Sequence, residues 1–517
     1  MSRKSAQLFP SVHAEATKAR NYEGAPTFKR SDEENLLNVL MLGTLEDTFY
    51  VDKTDLVDQA SALFDQFRKK DPEFLAKALV YARENGFIRM APILGLVYLS
   101  LANDKTYFHS IFQRVIRTPN DLRDFVQIVR SGQIRGMGRT VKDAVNAFLS
   151  TRMSEYWAIK YGSNSQNPSL RDIYRMTRPV LTGKAQAIAR YLVKGEFDVS
   201  QLSQVSYFEA LKSVETEDNA VYCIERGALP YEVVTSLAPS TKKVWTALLY
   251  QAPYMNLLMN LNNFHKYGVF DDPKNVDYAV KYLVDNVEKS KILPFRFFSA
   301  YKALNVDNNR IIEAVSEALE RSFVNLPDIE GNVLIANDIS GSMNCAMSNR
   351  GTTTYAEVAG IFAAALFKKA GDHSKIVSFN TQALGRTVNR MTPMLDMARM
   401  ISSGGGGTDL SAPLQFMMNN RHFPVDVGIF ITDSESWASY VFKHKTDKSV
   451  IEEYRRTVNP NFKAFFIQLA PYTHAIVPNN YPGCYYIYGW SEQILQYITT
   501  ILNGGETQVS QVRKLVI

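Results

Sequence analysis

The sequence predicts two architectures in series. An all-α array of stacked helical pairs runs from about Ser31 to Leu326, and an α/β domain built on a doubly wound parallel sheet follows from about Gly331. Three observations carry this. Apolar residues recur at helical spacing through the first part, with almost no strand alternation. Asn325-Leu326-Pro327-Asp328 breaks the last of those helices. Beyond it, short apolar runs alternate with helical segments, the pattern of a parallel sheet covered by helices.

Taken in order, residues 1–25 open on the polar stretch MSRKSAQLFPSVHAEATKAR, which has no apolar h-region and reads as a mobile tail. Ser31-Asp32-Glu33-Glu34 is a capping box that starts the helix carrying Leu36, Leu37, Val39, Leu40 and Leu42, which Gly43 ends. Asp71-Pro72-Glu73 starts another, with Phe74, Leu75, Ala78, Leu79 and Ala82 at helical spacing. Similar segments follow near 91–103, 107–118, 121–131, 139–150, 153–161, 169–177, 183–194, 203–213, 218–226, 241–250, 253–262, 275–287, 295–303 and 308–323. Short helices joined by brief turns, without a heptad, favour a solenoid over a compact all-α domain. No crisp repeat is visible, so a HEAT-like repeat is degenerate.

In the second part the predicted strands are 332–337, 375–379, 426–432, 464–468 and 485–488. Helices are expected over 354–370, 393–401, 411–420, 447–456 and 491–503, and 402–408 is a glycine-rich loop. The division that results is a helical domain over 26–327 and an α/β domain over 328–517.

The 517 residues carry a net charge of +6. Between Lys105 and Arg190 stand 15 Lys/Arg against 5 Asp/Glu, a net of +10. Such a block attracts polyanions, nucleic acid first. Three scattered cysteines, Cys223, Cys345 and Cys484, exclude a disulfide framework or CxxC zinc site and point to a reducing cytosol. No run of apolar residues is long enough to span a membrane. A P-loop and a dinucleotide-binding GxGxxG are absent, since the glycines of 132–138 join two helices rather than follow a strand.

Three loops at predicted strand ends carry hard oxygen donors. Asp338-Ile-Ser340-Gly-Ser342 offers a carboxylate and two hydroxyls, Gly404-Gly-Gly-Gly-Thr408 a third hydroxyl, and Thr432-Asp433 a second carboxylate. Ligands gather at the carboxyl ends of strands in doubly wound sheets. All-oxygen coordination suits Mg²⁺ first, or Mn²⁺. Asp409 and Glu435 are read as carboxylates at helix N-termini. Cys345 has no histidine near it in sequence and reads as inert. Taken together, the three loops resemble the metal-ion-dependent adhesion site of von Willebrand factor A domains. The resemblance implies that Asp338, Ser340, Ser342, Thr408 and Asp433 hold the ion, two of them through water. A coordination position is then left for an acidic group of a partner.

Several further stretches resemble the Ro autoantigen family, whose TROVE module binds Y RNAs. They are Leu40–Tyr50, Gly132–Lys142, Ala158–Tyr161 with Arg171–Pro179, and the metal loops, all in the family's order. The resemblance implies a helical-repeat ring that holds Y RNA duplex and the single-stranded ends of misfolded RNA, in RNA quality control and stress survival. It implies a monomer, and an exoribonuclease or another protein as a partner at the metal site. Lys160 and Arg178 match family RNA contacts, although the family more often has His at the second. Asn164 stands where the family has Arg. Arg135, Arg139, Lys142, Arg171 and Arg175 are added on charge alone. A non-catalytic RNA-binding scaffold is therefore expected. The alternative is a metal-dependent protein-binding adaptor, which has no use for the basic block. A metal-dependent hydrolase would need more carboxylates than these loops supply.

Overall fold

The structure is a computed structural model. It describes residues 19–20, 26–42, 53–132, 134, 136–290, 292, 294–322, 329–346, 353–433, 436, 447–470, 474–475, 477, 481–488, 492–502 and 507–517. The chain forms two compact units, Ile93–Ser322 and Met1–Pro92 with Phe323–Val516. This differs from the expected division at 327/328, because the unit that holds the sheet also takes in the chain through Pro92. Gly43 and the break at 325–328 lie outside the described residues.

In the helical unit, hydroxyl caps set helix after helix. Thr118 and Asp121 form a capping box on Pro119–Arg130, and Ser169 and Asp172 form one on Leu170–Thr177. Ser154 accepts from the Trp157 amide to start Glu155–Tyr161. Each such cap satisfies amides that the first helical turn leaves without partners. Helices pack mainly on close neighbours in the chain, as Ser203–Leu211 does on Glu217–Gly227 and Pro273–Asp285 on Asn309–Arg321. Near-neighbour packing is the mark of a stacked array. Phe108, Phe112 and Phe125 fill one layer, with the Phe112 and Phe125 rings edge to face at 5.2 Å. Tyr231–Leu237 is a helix with no counterpart in the sequence reading. Within it Val234 is the buried residue, too little for a periodic signal.

Nine strands are described: β1 (Ala19–Arg20), β2 (Pro26–Lys29), β3 (Val333–Asp338), β4 (Ser374–Phe379), β5 (Ala383–Arg386), β6 (Val427–Thr432), β7 (Lys463–Gln468), β8 (His474–Ala475) and β9 (Cys484–Tyr488). The main sheet has the order β5-β4-β3-β6-β7-β9. All its pairs are parallel except β4–β5, so the sheet is mixed rather than wholly parallel. β5 is a short, largely exposed edge strand without a buried apolar run, which is why the pattern concealed it. β3 and β6 are buried along their whole length. The chain runs outward from β3 to β4 on one side and returns to β6 on the other, so the strand order reverses between β3 and β6.

The N-terminal segment belongs to this unit. Ala19 and Arg20, inside the stretch expected to be a tail, pair antiparallel with β2, and β2 pairs with β8. Asp32–Leu42, Lys53–Lys70 and Pro72–Glu84 pack together, and Asp32–Leu42 also meets β9. Lys53–Lys70 escaped the sequence reading. It buries Leu56, Ala60, Phe64 and Phe67 in an otherwise polar stretch. Gln508 donates to the Tyr81 hydroxyl at 3.2 Å and Lys77 to the Arg513 carbonyl at 2.7 Å, tying the final helix Gln508–Lys514 to these helices.

Candidate metal centre and nucleic-acid interface

The reversal between β3 and β6 puts Asp338, the last residue of β3, beside Asp433, the first residue past β6. All five predicted ligands are buried: Asp338, Ser340, Ser342, Thr408 and Asp433. The first loop is held by its own backbone, since the Ser340 amide donates to Asp338 Oδ1 at 2.9 Å. Thr432 donates to Asp338 Oδ2 at 2.6 Å, and the Ser340 and Ser342 hydroxyl oxygens lie 3.3 Å apart. The glycine loop is drawn against this turn: the Gly341 amide donates to the Gly406 carbonyl at 2.8 Å. Gly406 takes φ +93°, and a Cβ on Gly404 would stand 2.7 Å from the Ile339 carbonyl oxygen. Only glycine allows that approach.

Burial, and then the Asp433 charge, push the Asp338 carboxyl up to about 7, against the hydrogen bonds from Thr432 and Ser340. Two buried carboxylates that disfavour each other's ionisation are what a divalent cation relieves. The residues therefore fit a hard cation: two carboxylates and three hydroxyls, all oxygen. Among the described residues no group of three or more His, Cys, Asp or Glu forms a second metal cluster. Asp409 accepts from the Ser411 amide at 2.9 Å, two residues before the N-cap Ser411 of the helix Ala412–Asn419. Ser434 and Glu435 lie outside the described residues. Cys345 is half-buried, and burial followed by the Asp433 charge raises its thiol pKa, so little thiolate forms.

Those of the predicted basic residues that are described sit in the helical unit, on three helices or at a helix end. Lys160, in Glu155–Tyr161, bridges to Glu232 at 2.9 Å and lies 5.9 and 5.7 Å from the ring centroids of Tyr156 and Tyr161. Arg171 donates to the Leu192 carbonyl at 3.4 Å. Lys160 and Arg171 line one cleft of about 580 Å³, together with Asn164, Tyr191, Glu209, Lys212 and Glu232. Arg171 and Arg175 are four residues apart, so one side of Leu170–Thr177 presents both. Arg178 closes that helix in the left-handed conformation, φ +48°, with its side chain exposed.

Arg139 is exposed and lies 3.8 Å from Asp143. Lys142 is half-buried. Asn146, one turn past Lys142, donates to the Thr177 carbonyl at 3.2 Å and brings that helix face beside the Arg178 end. Arg135 lies outside the described residues. Sequence reasoning missed Lys212, which stands outside the basic block and joins the cleft only through packing. It also missed Arg130, whose guanidinium donates to Asn167 at 3.1 Å.

Comparison with known proteins gives concordant results. The profile of the Ro60 vWA domain matches residues 332–502, and that of the TROVE domain matches residues 229–376. A Deinococcus radiodurans protein named RNA-binding protein RO60 is 25% identical over 452 residues, which are 82% of this chain and 84% of that protein. A Caenorhabditis elegans protein of the same name is 22% identical over 476 residues, covering 76% of this chain and 72% of that one. The crystal structure of the D. radiodurans RO (RSR) protein superposes with a TM-score of 0.69 at 20% identity, over 92% of this chain and all of that one.

Proposed function

The chain belongs to the Ro family, uniting a TROVE domain with a Ro60-type von Willebrand factor A domain, and from that premise we propose that it is an RNA-binding scaffold that acts without catalysis. The observation that carries this reading is the grouping of Lys160 and Arg171 in one cleft, with Arg175 one turn along the same helix and Arg178 at its C-terminal end. Phosphate contacts of this kind bind strongly, depend on salt and read little base sequence. Arg adds stacking on splayed bases. The RNA class is a small structured, Y-like noncoding RNA together with the ends of misfolded RNA, in quality control and the stress response. The relatives' names favour this over the adaptor reading.

Asp338, Ser340, Ser342, Thr408 and Asp433 would hold Mg²⁺, which would supply a fixed positive charge for an acidic group of a protein partner, an exoribonuclease among the candidates. The test is purification of the protein, sequencing of any RNA that accompanies it, and titration with a structured RNA at ~100 mM salt, where phosphate contacts still hold. Neutral replacement of Lys160 and Arg178 together weakens binding. RNA-free protein without affinity for structured RNA rejects the function, and unchanged affinity of the double variant rejects the placement.

A further inference from the structure

The cleft that contains Lys160 carries its own anions. Glu232, on Tyr231–Leu237, reaches across to Lys160 at 2.9 Å; its side chain is 51% exposed against 22% for Lys160. The Tyr156 and Tyr161 rings flank the ammonium, and the carboxylate is the more exposed of the two partners. The other wall repeats the arrangement: Lys212 pairs with Glu209 at 2.6 Å, and the Tyr191 hydroxyl also donates to Glu209. Arg171 differs, with its Nε on the Leu192 carbonyl and no ion pair to a carboxylate among the described residues.

We propose that Glu232 is a built-in competitor for the RNA phosphate at Lys160. This rests on the RNA-binding reading above. A phosphate docks first on Arg171, and a neighbouring phosphate of the same strand then displaces Glu232 from Lys160. A half-exposed pair is weak, so a tethered phosphate displaces it readily. A single mononucleotide phosphate gains nothing from tethering and leaves Glu232 in place. The carboxylate thereby favours chains of phosphates over isolated ones. It also hides Lys160 from the salt dependence, since a lysine already neutralised by Glu232 releases no counterion when phosphate arrives.

The test is a salt titration of binding to a fluorescein-labelled RNA hairpin with a single-stranded tail, using the full chain and the variants E232Q, K160Q and K160Q/E232Q. Glu232→Gln keeps the side-chain shape, and thermal melting confirms that each variant folds. The expected result is that E232Q binds roughly threefold to fivefold tighter, the scale of a partly exposed ion pair. Its log–log salt slope steepens by roughly 0.7 to 0.9, one added phosphate contact. In the K160Q background the same substitution gains nothing. An equal gain with and without Lys160 overturns the inference, because it marks a general charge effect. So does unchanged affinity of E232Q for an RNA that the parent binds. A parent that binds no RNA overturns the RNA reading itself.

Discussion

The Arg30 guanidinium donates to the Tyr488 hydroxyl at 2.7 Å, a contact between residues 458 positions apart in sequence. Arg30 is 5% exposed, stands over the Tyr486 and Tyr488 rings at 4.7 and 5.2 Å, and also donates to Gln468. It anchors the chain just past β2 to the last two parallel strands of the sheet. Arg30→Met keeps much of the volume but removes the donors and strands buried acceptors. The cost is about 2 kcal/mol, from lost charge-assisted hydrogen bonding and cation–π contact. Thermal denaturation reads this as a fall of roughly 4 to 8 °C.

The helix that presents Arg171 and Arg175 and ends at Arg178 depends on its capping box. Ser169→Ala removes the acceptor for the Asp172 amide and the donor to the Asp172 carboxylate, at about 1 kcal/mol. The Ser169 hydroxyl, then its amide, hold Asp172 below the usual carboxylate value of 3.8. A depressed carboxyl contributes stability that is present above 3.8 and is lost as the pH falls below it. Acid titration of the melting temperature therefore shows a smaller drop below about pH 4 in the Ser169→Ala variant than in the parent.

Gly404→Ala tests the glycine loop. The added methyl meets the Ile339 carbonyl oxygen at 2.7 Å and the Ile339 side chain at 2.5 Å. Backbone on one side cannot rotate away, so the loop shifts, at about 1 to 3 kcal/mol. Melting in EDTA reports the strain. Weaker Mg²⁺ binding by calorimetry reports the displaced Thr408.

Removing one of the two carboxylates tests the metal centre. Mg²⁺ at a hundredfold excess over Kd stabilises the parent by about 2.7 kcal/mol. Asp338→Asn loses that increment, while its stability in EDTA is equal to or above the parent's, because Asp433 no longer opposes a buried charge. The substitution lies in the unit of the sheet and the basic residues in Ile93–Ser322, so RNA affinity stays within about twofold of the parent's. A larger loss of RNA binding defeats the separation of the two sites.

Much of the candidate metal centre was legible from spacing. Asp338, Ser340 and Ser342 alternate within one tight turn, and a glycine run before Thr408 announces a close backbone approach. The basic residues were legible as a block but not as a site. Asn146, one turn past Lys142, and Thr177, next to Arg178, are 31 positions apart, and only the packing of their two helices brings them together. Glu232 gave no signal at all, since a single exposed carboxylate on a short helix looks like any other.

By itself the sequence determined the order of elements, the helical and α/β periods, the oxygen character of the candidate metal ligands and the excess of positive charge. These depend on residues near one another in the chain, where periodicity and capping act. Tertiary structure alone decided that the helices Asp32–Leu42, Lys53–Lys70 and Pro72–Glu84 belong to the unit of the sheet, that β5 closes its edge antiparallel, and that Lys160 faces Glu232. Each of these is set by burial and charge pairing between distant segments, and local sequence carries no record of which distant partner wins.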